Sequence, residues 1–318
     1  MKKLNLGVVI PAYNEEENIK PMYDRLSPVL DKVATEWEIV FVNDGSSDAT
    51  LEEILKLRAV DDRVKYVDFA RNFGHEMANT AGFRNVSGDA VVIIDADLQD
   101  PPEVIEQMVE KYHEGYDVVF AKRLTRERES ILKKATSKAF YRVLSFFSET
   151  EIPLDTGDFR LLSRPVVDQL NQLNERNRFF RGLTHWVGFK VTAVEYHRNA
   201  RNAGETKYNY WKLMQLAFDA ILSFSYKPLK LFSFLGGLIA LGSFGWMIYW
   251  IILKVMGHPA VEGWTSLISV MLFFFGILMI QISLIGEYVA RIYEEVRNRP
   301  LYIIQNKAVT EKDQTNAS

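Results

Sequence analysis

Val91-Val92-Ile93-Ile94-Asp95-Ala96-Asp97-Leu98-Gln99-Asp100-Pro101-Pro102 joins an unbroken apolar run to two acids one residue apart. The β-branched run reads as a buried strand, and the prolines close it off. Asp95 and Asp97 fall where the strand turns, so both carboxylates can converge on one cation. Runs of the same kind recur at Leu6–Ile10, Glu38–Val42, Val64–Phe69 and Asp117–Ala121, with this one covering Ala90–Asp95. Helical patterns at about 15–30, 49–59, 75–86 and 102–114 lie between them. Strands alternating with helices predict an α/β fold, a mostly parallel sheet with helices on both faces.

In such sheets ligands bind beyond the carboxyl ends of the strands. Three unusual strings fall at those ends: Pro11-Ala12-Tyr13-Asn14-Glu15, Asn43-Asp44-Gly45-Ser46 and Asp95-Ala96-Asp97. Magnesium or manganese takes carboxylate and diphosphate oxygens, so the paired acids suit a departing nucleotide. Asp44 is either part of a turn whose helix cap comes from Ser46, Ser47 or Asp48, or an acceptor toward a base or ribose. Tyr13 and Glu15 are either strand-to-helix punctuation or a ring beneath the base and an acceptor for ribose hydroxyls. No Gly-x-Gly-x-x-Gly fingerprint or P-loop is present, which removes support for a dinucleotide oxidoreductase or a P-loop ATPase. His75, His185 and His197 lack metal-ligand spacing and read as structural or surface residues.

The 318 residues carry a formal charge of −3 and no cysteine. There is no basic excess to bind nucleic acid, no disulfide framework and no thiolate metal site. The segment after Met1-Lys2-Lys3 is too short and too soon acidic for a secretory signal. Beyond Lys230 no charge appears until Lys254, and beyond Glu262 none until Glu287. Each gap exceeds the roughly 20 residues that cross a bilayer as a helix. Lys227, Lys230, Arg291, Arg297 and Arg299 flank the pair, whereas the connection has only Lys254. The positive-inside rule then puts both termini in the cytoplasm of a multi-pass plasma-membrane protein.

The expected organisation is a cytosolic domain over 1–205, a juxtamembrane segment over 206–230, spans at 231–253 and 263–287, an outer loop at 254–262 and a cytosolic end at 288–318. Within the juxtamembrane segment, Lys212, Gln215, Asp219 and Ser223 oppose Trp211, Met214, Phe218, Ile221 and Leu222. That pattern predicts an amphipathic helix on the bilayer surface. Residues after about 306 read as a disordered tail. Gly236, Gly237, Ala240 and Gly245 permit close helix contact, and with it a homo-oligomer.

Val9-Ile10-Pro11-Ala12-Tyr13-Asn14-Glu15-Glu16, Asn43-Asp44-Gly45-Ser46 and Asp95-Ala96-Asp97-Leu98-Gln99 resemble the inverting transferases of glycosyltransferase family 2. The nearer resemblance is to its polyprenyl-phosphate branch, which includes dolichol-phosphate mannose synthase and bactoprenol-phosphate glucosyltransferases. Arg71-Asn72-Phe73-Gly74, Thr156-Gly157-Asp158-Phe159-Arg160, Arg201-Asn202-Ala203-Gly204-Glu205-Thr206-Lys207-Tyr208 and Gly286-Glu287-Tyr288-Val289-Ala290-Arg291-Ile292-Tyr293 extend it over nearly the whole chain.

The resemblance implies a GT-A, Rossmann-like fold. It implies a nucleotide-sugar donor, a polyprenyl-phosphate acceptor in the lipid bilayer, and Mg²⁺ or Mn²⁺ held by Asp95, Asp97 and Gln99. Pro11, Tyr13, Glu15 and Asp44 would form the nucleotide pocket, with Ala96 lending backbone and Arg123 facing the donor. Arg201, Thr206 and Lys207 would grip the acceptor phosphate. Asp97 and Asp158 are the catalytic candidates. A phosphate oxygen is already anionic near pH 7, so Asp158 is expected to orient acceptor or sugar, with any base role secondary. The resemblance favours UDP-glucose, with GDP-mannose and modified UDP-pentoses as alternatives. A processive polysaccharide synthase would add Gln-x-x-Arg-Trp, whereas here Gly182 follows Arg181. A non-catalytic membrane scaffold is the alternative of another class.

Overall fold

The computed structural model describes residues 3–124, 156–173, 175–176, 178, 180–197 and 263–309, together with scattered positions between 234 and 256. Contacts divide the chain into two compact units. One holds residues 1–145, 150–209 and 299–318, the other 146–149 and 210–298.

The first unit is built on an eight-stranded sheet. Its elements run β1 (Leu4–Ala12), α1 (Glu16–Val33), β2 (Ala34–Asn43), α2 (Thr50–Val60), β3 (Val64–Phe69), α3 (His75–Asn85), β4 (Ala90–Ile93), α4 (Val104–His113) and β5 (Val118–Arg123). Then come β6 (Thr156–Ser163), α5 (Arg164–Gln172), α6 (Phe180–Trp186), β7 (Val191–Tyr196) and β8 (Ile304–Ala308). The spatial order is β7-β5-β6-β4-β1-β2-β3-β8. β1 is central and buried except at Asn5, as a parallel strand covered on both faces must be. In α1, Ile19, Met22, Leu26, Val29, Leu30 and Val33 recur at helical spacing and pack into the same core. On α3, Gly82 lets the helix approach the sheet: an added Cβ would overlap Val9 and stand 3.0 Å from its Cγ2.

The five expected strands and four expected helices are all present, with ends shifted by a few residues. The sheet is mostly parallel as expected, six of its eight strands running one way, but it is also mixed. β1–β2, β1–β4, β2–β3 and β5–β7 are parallel. β6 runs antiparallel between β4 and β5, and β8 runs antiparallel on β3. This reversal matters for the site: an antiparallel strand begins where its neighbours end, so the start of β6 reaches the carboxyl rim of β4 and β5.

The disordered tail expected from about residue 306 needs correction at its start. Asn306, Lys307 and Ala308 pair with Asp68, Val67 and Tyr66. The ring of Tyr302 stacks on Phe69 with centroids 5.0 Å apart, and Ala70 N–H donates to the Ile303 carbonyl.

In the second unit α7 (Trp264–Val296) has 33 residues, about 50 Å at 1.5 Å per residue. Among the described residues it supplies the one segment, Phe273–Val296, long and apolar enough to cross a membrane. Described positions between 234 and 252 are helical, and a Cβ on Gly236 would lie 2.8 Å from Gln281 Nε2. The segment expected at the bilayer surface lies outside the described residues.

Candidate active site

The loops after β1 and β2 are sewn together. Asn14, in the left-handed region at φ 54°, donates its N–H to Ser46 Oγ at 3.0 Å and accepts at Oδ1 from Ser47 N–H at 2.9 Å. Glu15 N–H donates to Thr50 Oγ1, and Asp48 accepts from the N–H of Thr50, the first residue of α2. The N-cap of α2 is Ala49, which offers no side-chain cap, so none of the three residues expected for that role occupies it; Asp48 binds the first helical N–H from one place earlier. Pro11 and Ala12 end β1 opposite Val42 and Asn43. Tyr13 beyond them is 48% exposed, leaving its ring open to a ligand.

Asp44 is almost fully buried and points inward. Its Oδ1 accepts from Phe73 N–H at 2.7 Å and its Oδ2 from Gly74 N–H at 3.0 Å. Burial raises its pKa, and the two backbone donors partly oppose the rise. A base or ribose would share a carboxylate that already fixes the 71–74 loop.

Asp95 and Asp97 follow β4 as expected. Asp97 Oδ1 accepts from Gln99 N–H at 3.1 Å across Leu98, whose φ is 57°. Ala96 and Gln99 are buried. Asp95 Oδ1 is buried and makes no hydrogen bond. A buried acidic oxygen that makes no hydrogen bond, with a second carboxylate in the same loop, suits a hard cation. Among the described residues no group of three or more His, Asp or Glu side chains could hold a metal, so diphosphate oxygens would have to complete the shell.

The start of β6 brings Asp158 to the same rim, and His75, the first residue of α3, stands between the two acids. Its Nε2 lies 3.6 Å from Asp95 Oδ1 and 3.5 Å from Asp158 Oδ2. The reading of His75 as a structural or surface residue is therefore corrected. Its neighbours are remote in sequence, which a search for local ligand spacing does not detect. Arg181 on α6 binds Asp158 with Nε–Oδ1 2.9 Å and Nη2–Oδ2 3.0 Å. Buried Arg160 lies 3.9 Å from Asp158 and donates to Thr184 Oγ1 at 2.7 Å and to the Gly157 carbonyl at 2.9 Å. Glu76 accepts from Phe180 N–H at 3.3 Å.

The cluster sets its own protonation. Burial favours a neutral Asp158, yet the hydrogen bonds from His75 and Arg181 hold its pKa well below the usual carboxylate range. Burial also disfavours a charged His75, but Asp158 and Asp95 lift its pKa to about 9. Asp95 is pushed up to about 6, by burial first, against the pull of His75. Glu76 rises to about 7 through burial and the charge of Asp158. Arg123 ends β5 at this rim. Arg201, Thr206 and Lys207 lie outside the described residues.

A mixed α/β sheet carrying paired acids, a buried loop-fixing acid and an arginine-clamped carboxylate on one rim defines an enzyme of the GT-A-like class. The description "Glycosyl transferase family 2" matches residues 7–170, and "GtrB C-terminal hairpin" matches 227–292. The chain belongs to glycosyltransferase family 2 and carries the GtrB C-terminal hairpin; it is a glycosyltransferase. It is 49% identical over 304 residues to the uncharacterized glycosyltransferase YkcC of Bacillus subtilis (strain 168), covering 96% of this chain and 94% of that protein. It is 45% identical over 305 residues to the bactoprenol glucosyl transferase of Shigella phage SfII, covering 95% and 98%. Among solved structures, the mannosyltransferase PcManGT from Pyrobaculum calidifontis, in complex with GDP-Man and Mn2+, matches with TM-score 0.48 and 18% identity, covering 68% of this chain and 61% of that one.

Proposed function

We propose that the protein transfers a sugar, glucose from UDP-glucose first among the candidates, onto the phosphate of a polyprenyl lipid such as undecaprenyl phosphate at the cytosolic membrane face. The observation that carries this reading is the meeting of Asp95 and Asp158 on either side of His75, one acid from the strand that serves a departing nucleotide and one from the strand beside it. The relatives named bactoprenol glucosyl transferases, aligned over nearly their full length, support both the sugar and the lipid.

The reaction is an in-line, inverting displacement. An oxygen of the lipid phosphate forms the new bond to the anomeric carbon as the bond to the nucleoside diphosphate breaks. No proton need leave the nucleophile, because a phosphate monoester is already anionic near neutrality. Asp158, ionised and held by Arg181, therefore orients the acceptor or sugar rather than taking a proton. Arg123 faces the donor, and Pro11, Tyr13, Glu15 and Asp44 frame the nucleotide with Ala96 backbone. Arg201, Thr206 and Lys207 bind the acceptor phosphate through charge-assisted bonds. Asp95 and Asp97, with Gln99 beside them, would hold Mg²⁺ or Mn²⁺, which when bound neutralises charge on the diphosphate.

For the membrane part we retain the amphipathic segment over 206–230, the spans at 231–253 and 263–287 with the outer loop at 254–262, and both flanking parts, 1–205 and 288–318, on the cytosolic side. What supports two crossings is β8. It follows the hairpin yet pairs with β3 in the first unit, as a chain that crosses twice would do. A homo-oligomer fits the small residues of the first span.

The test is purified protein with undecaprenyl phosphate, Mg²⁺ or Mn²⁺ and a panel of nucleotide-sugars. Glucolipid formation from UDP-glucose is the expected result, and selective use of GDP-mannose or a UDP-pentose would reassign the sugar. No turnover with any donor would favour a non-catalytic scaffold. Lys207→Ala is expected to raise the acceptor KM, and a rise in donor KM alone would show the two sites exchanged.

A further inference from the structure

Arg123 is held far more tightly than an arginine at a strand end needs to be. The parallel register of β5 and β7 sets Tyr196 beside it. Its Nε donates to the Tyr196 hydroxyl at 3.1 Å and its Nη2 to Asp100 Oδ2 at 3.4 Å. The Tyr196 hydroxyl in turn donates to Asp100 Oδ1, so the phenol accepts from one partner and donates to the other. Asp100 is wholly buried and Tyr196 nearly so, whereas the Arg123 side chain keeps 30% exposure. On another side lies Gly157, where a Cβ would stand 2.6 Å from Arg123 Nη2. The Gly157 carbonyl accepts from Arg160, which ties the start of β6 in place.

We propose that Asp100, Tyr196 and Gly157 form a seat that fixes Arg123 toward the donor, with Tyr196 and Asp100 acting as positioning residues for sugar transfer. The inference rests on the reading of Arg123 as a donor-facing residue and deepens it. A buried carboxylate needs a cation and donors to be tolerated, and here one guanidinium and one phenol supply them. An unrestrained arginine loses side-chain rotamer entropy when it grips a ligand. The seat removes that loss in advance, so its effect falls on donor binding. Asp100 also belongs to the loop that carries Asp95 and Asp97, so the same contacts couple the arginine to those acids.

The test is a double-mutant cycle of Tyr196→Phe and Arg123→Ala on the full chain. Tyr196→Phe deprives Asp100 of a donor and is expected to lower stability, so the melting temperature does not discriminate. The KM split does. Tyr196→Phe should raise the donor KM about 5–10-fold, roughly 1–1.4 kcal/mol, and leave the acceptor KM unchanged. The double variant should be no worse than Arg123→Ala alone. Gly157→Ala, which crowds the guanidinium without removing a hydrogen bond, should show the same donor signature. Additive effects, or a change confined to the acceptor KM, would overturn the seat while wild-type turnover leaves the proposed function standing. If the wild type turns over no donor, the proposed function fails. The cycle is then read on UDP and GDP binding by calorimetry, where non-additivity supports the seat and additivity sinks it. A wild type that binds neither nucleotide overturns both.

Discussion

Arg181 meets Asp158 edge to edge, Nε to Oδ1 at 2.9 Å and Nη2 to Oδ2 at 3.0 Å, so both oxygens of the acid are fixed by one planar fork. Such a pair fixes orientation as well as charge. It also explains why Asp158 stays ionised: two donors stabilise the carboxylate at a buried position where desolvation would otherwise protonate it. An acid built in this way holds a direction better than it accepts a proton.

Arg181→Lys separates those two contributions. Lysine keeps the positive charge but is a point donor with no fork. Turnover is expected to fall about 10–100-fold, as for a misplaced group at a reaction centre. Full activity in steady-state kinetics would show that the fork is dispensable.

The histidine between the acids predicts a pH dependence in chelator-treated protein. Its pKa in the folded state is about 9, above the ordinary value of about 6.5. The stability it contributes is thus fully present below about pH 6.5 and lost as pH rises through about 9. The side chain is 42% exposed, so solvent screening reduces the effect to the order of 1 kcal/mol. Wild type should melt above His75→Gln by about 2–4 °C at pH 6, and the gap should close by pH 10. A gap that widens with pH would reverse the assignment.

Asp97→Ala removes the second of the paired acids while sparing the strand before it. Turnover should fall about 10²–10³-fold with little change in melting temperature, the loss expected when charge stabilisation of a leaving group is removed. Chelation of the wild type should produce a comparable loss, restored by Mg²⁺ or Mn²⁺. Near-normal turnover of the variant would overturn the metal assignment.

Gly45 reports on the nucleotide loops. Its φ is 65°, and a Cβ there would overlap the Arg71 carbonyl carbon and lie 2.6 Å from Asn72 N. The 43–46 and 71–74 loops touch at this point, and Asp44 binds the second through Phe73 and Gly74. Gly45→Ala combines backbone strain with a clash against backbone, and should cost on the order of 1–3 kcal/mol. It should also weaken donor binding, measured by calorimetry.

The sequence made β1 to β5 and α1 to α4 legible because buried parallel strands and amphipathic helices each leave a periodic signature. β6 was harder to read because Asp158 and Arg160 interrupt it, and only the fold shows that those charges meet Arg181, His75 and Thr184. β8 was hidden for the opposite reason: Gln305, Asn306 and Lys307 are exposed on an edge strand and look like tail. The acids after β4 were legible from their string alone. His75, Glu76, Arg181, Asp100 and Tyr196 were not, since each gains its meaning from a partner brought close by the sheet.

The return of the chain to β3 makes a prediction about truncation. Ending the protein at Asn298 would remove β8, uncover the hydrogen-bonding edge of β3 and strip Tyr302 from Phe69. The loss should reach the site. Phe69 also meets Phe73 edge-on at 5.6 Å, and Phe73 supplies one of the two N–H groups that hold Asp44. Tyr302→Ala, a milder form of the same change, sacrifices the stacking, about 0.5–1.5 kcal/mol beyond the area it buries. We expect the truncated protein to aggregate through its open edge, and the point variant to remain soluble with a lower melting temperature and weaker nucleotide binding. Nucleotide affinity equal to wild type in Tyr302→Ala would confine the role of this segment to stability and break the proposed link from β8 through Phe69 and Phe73 to Asp44.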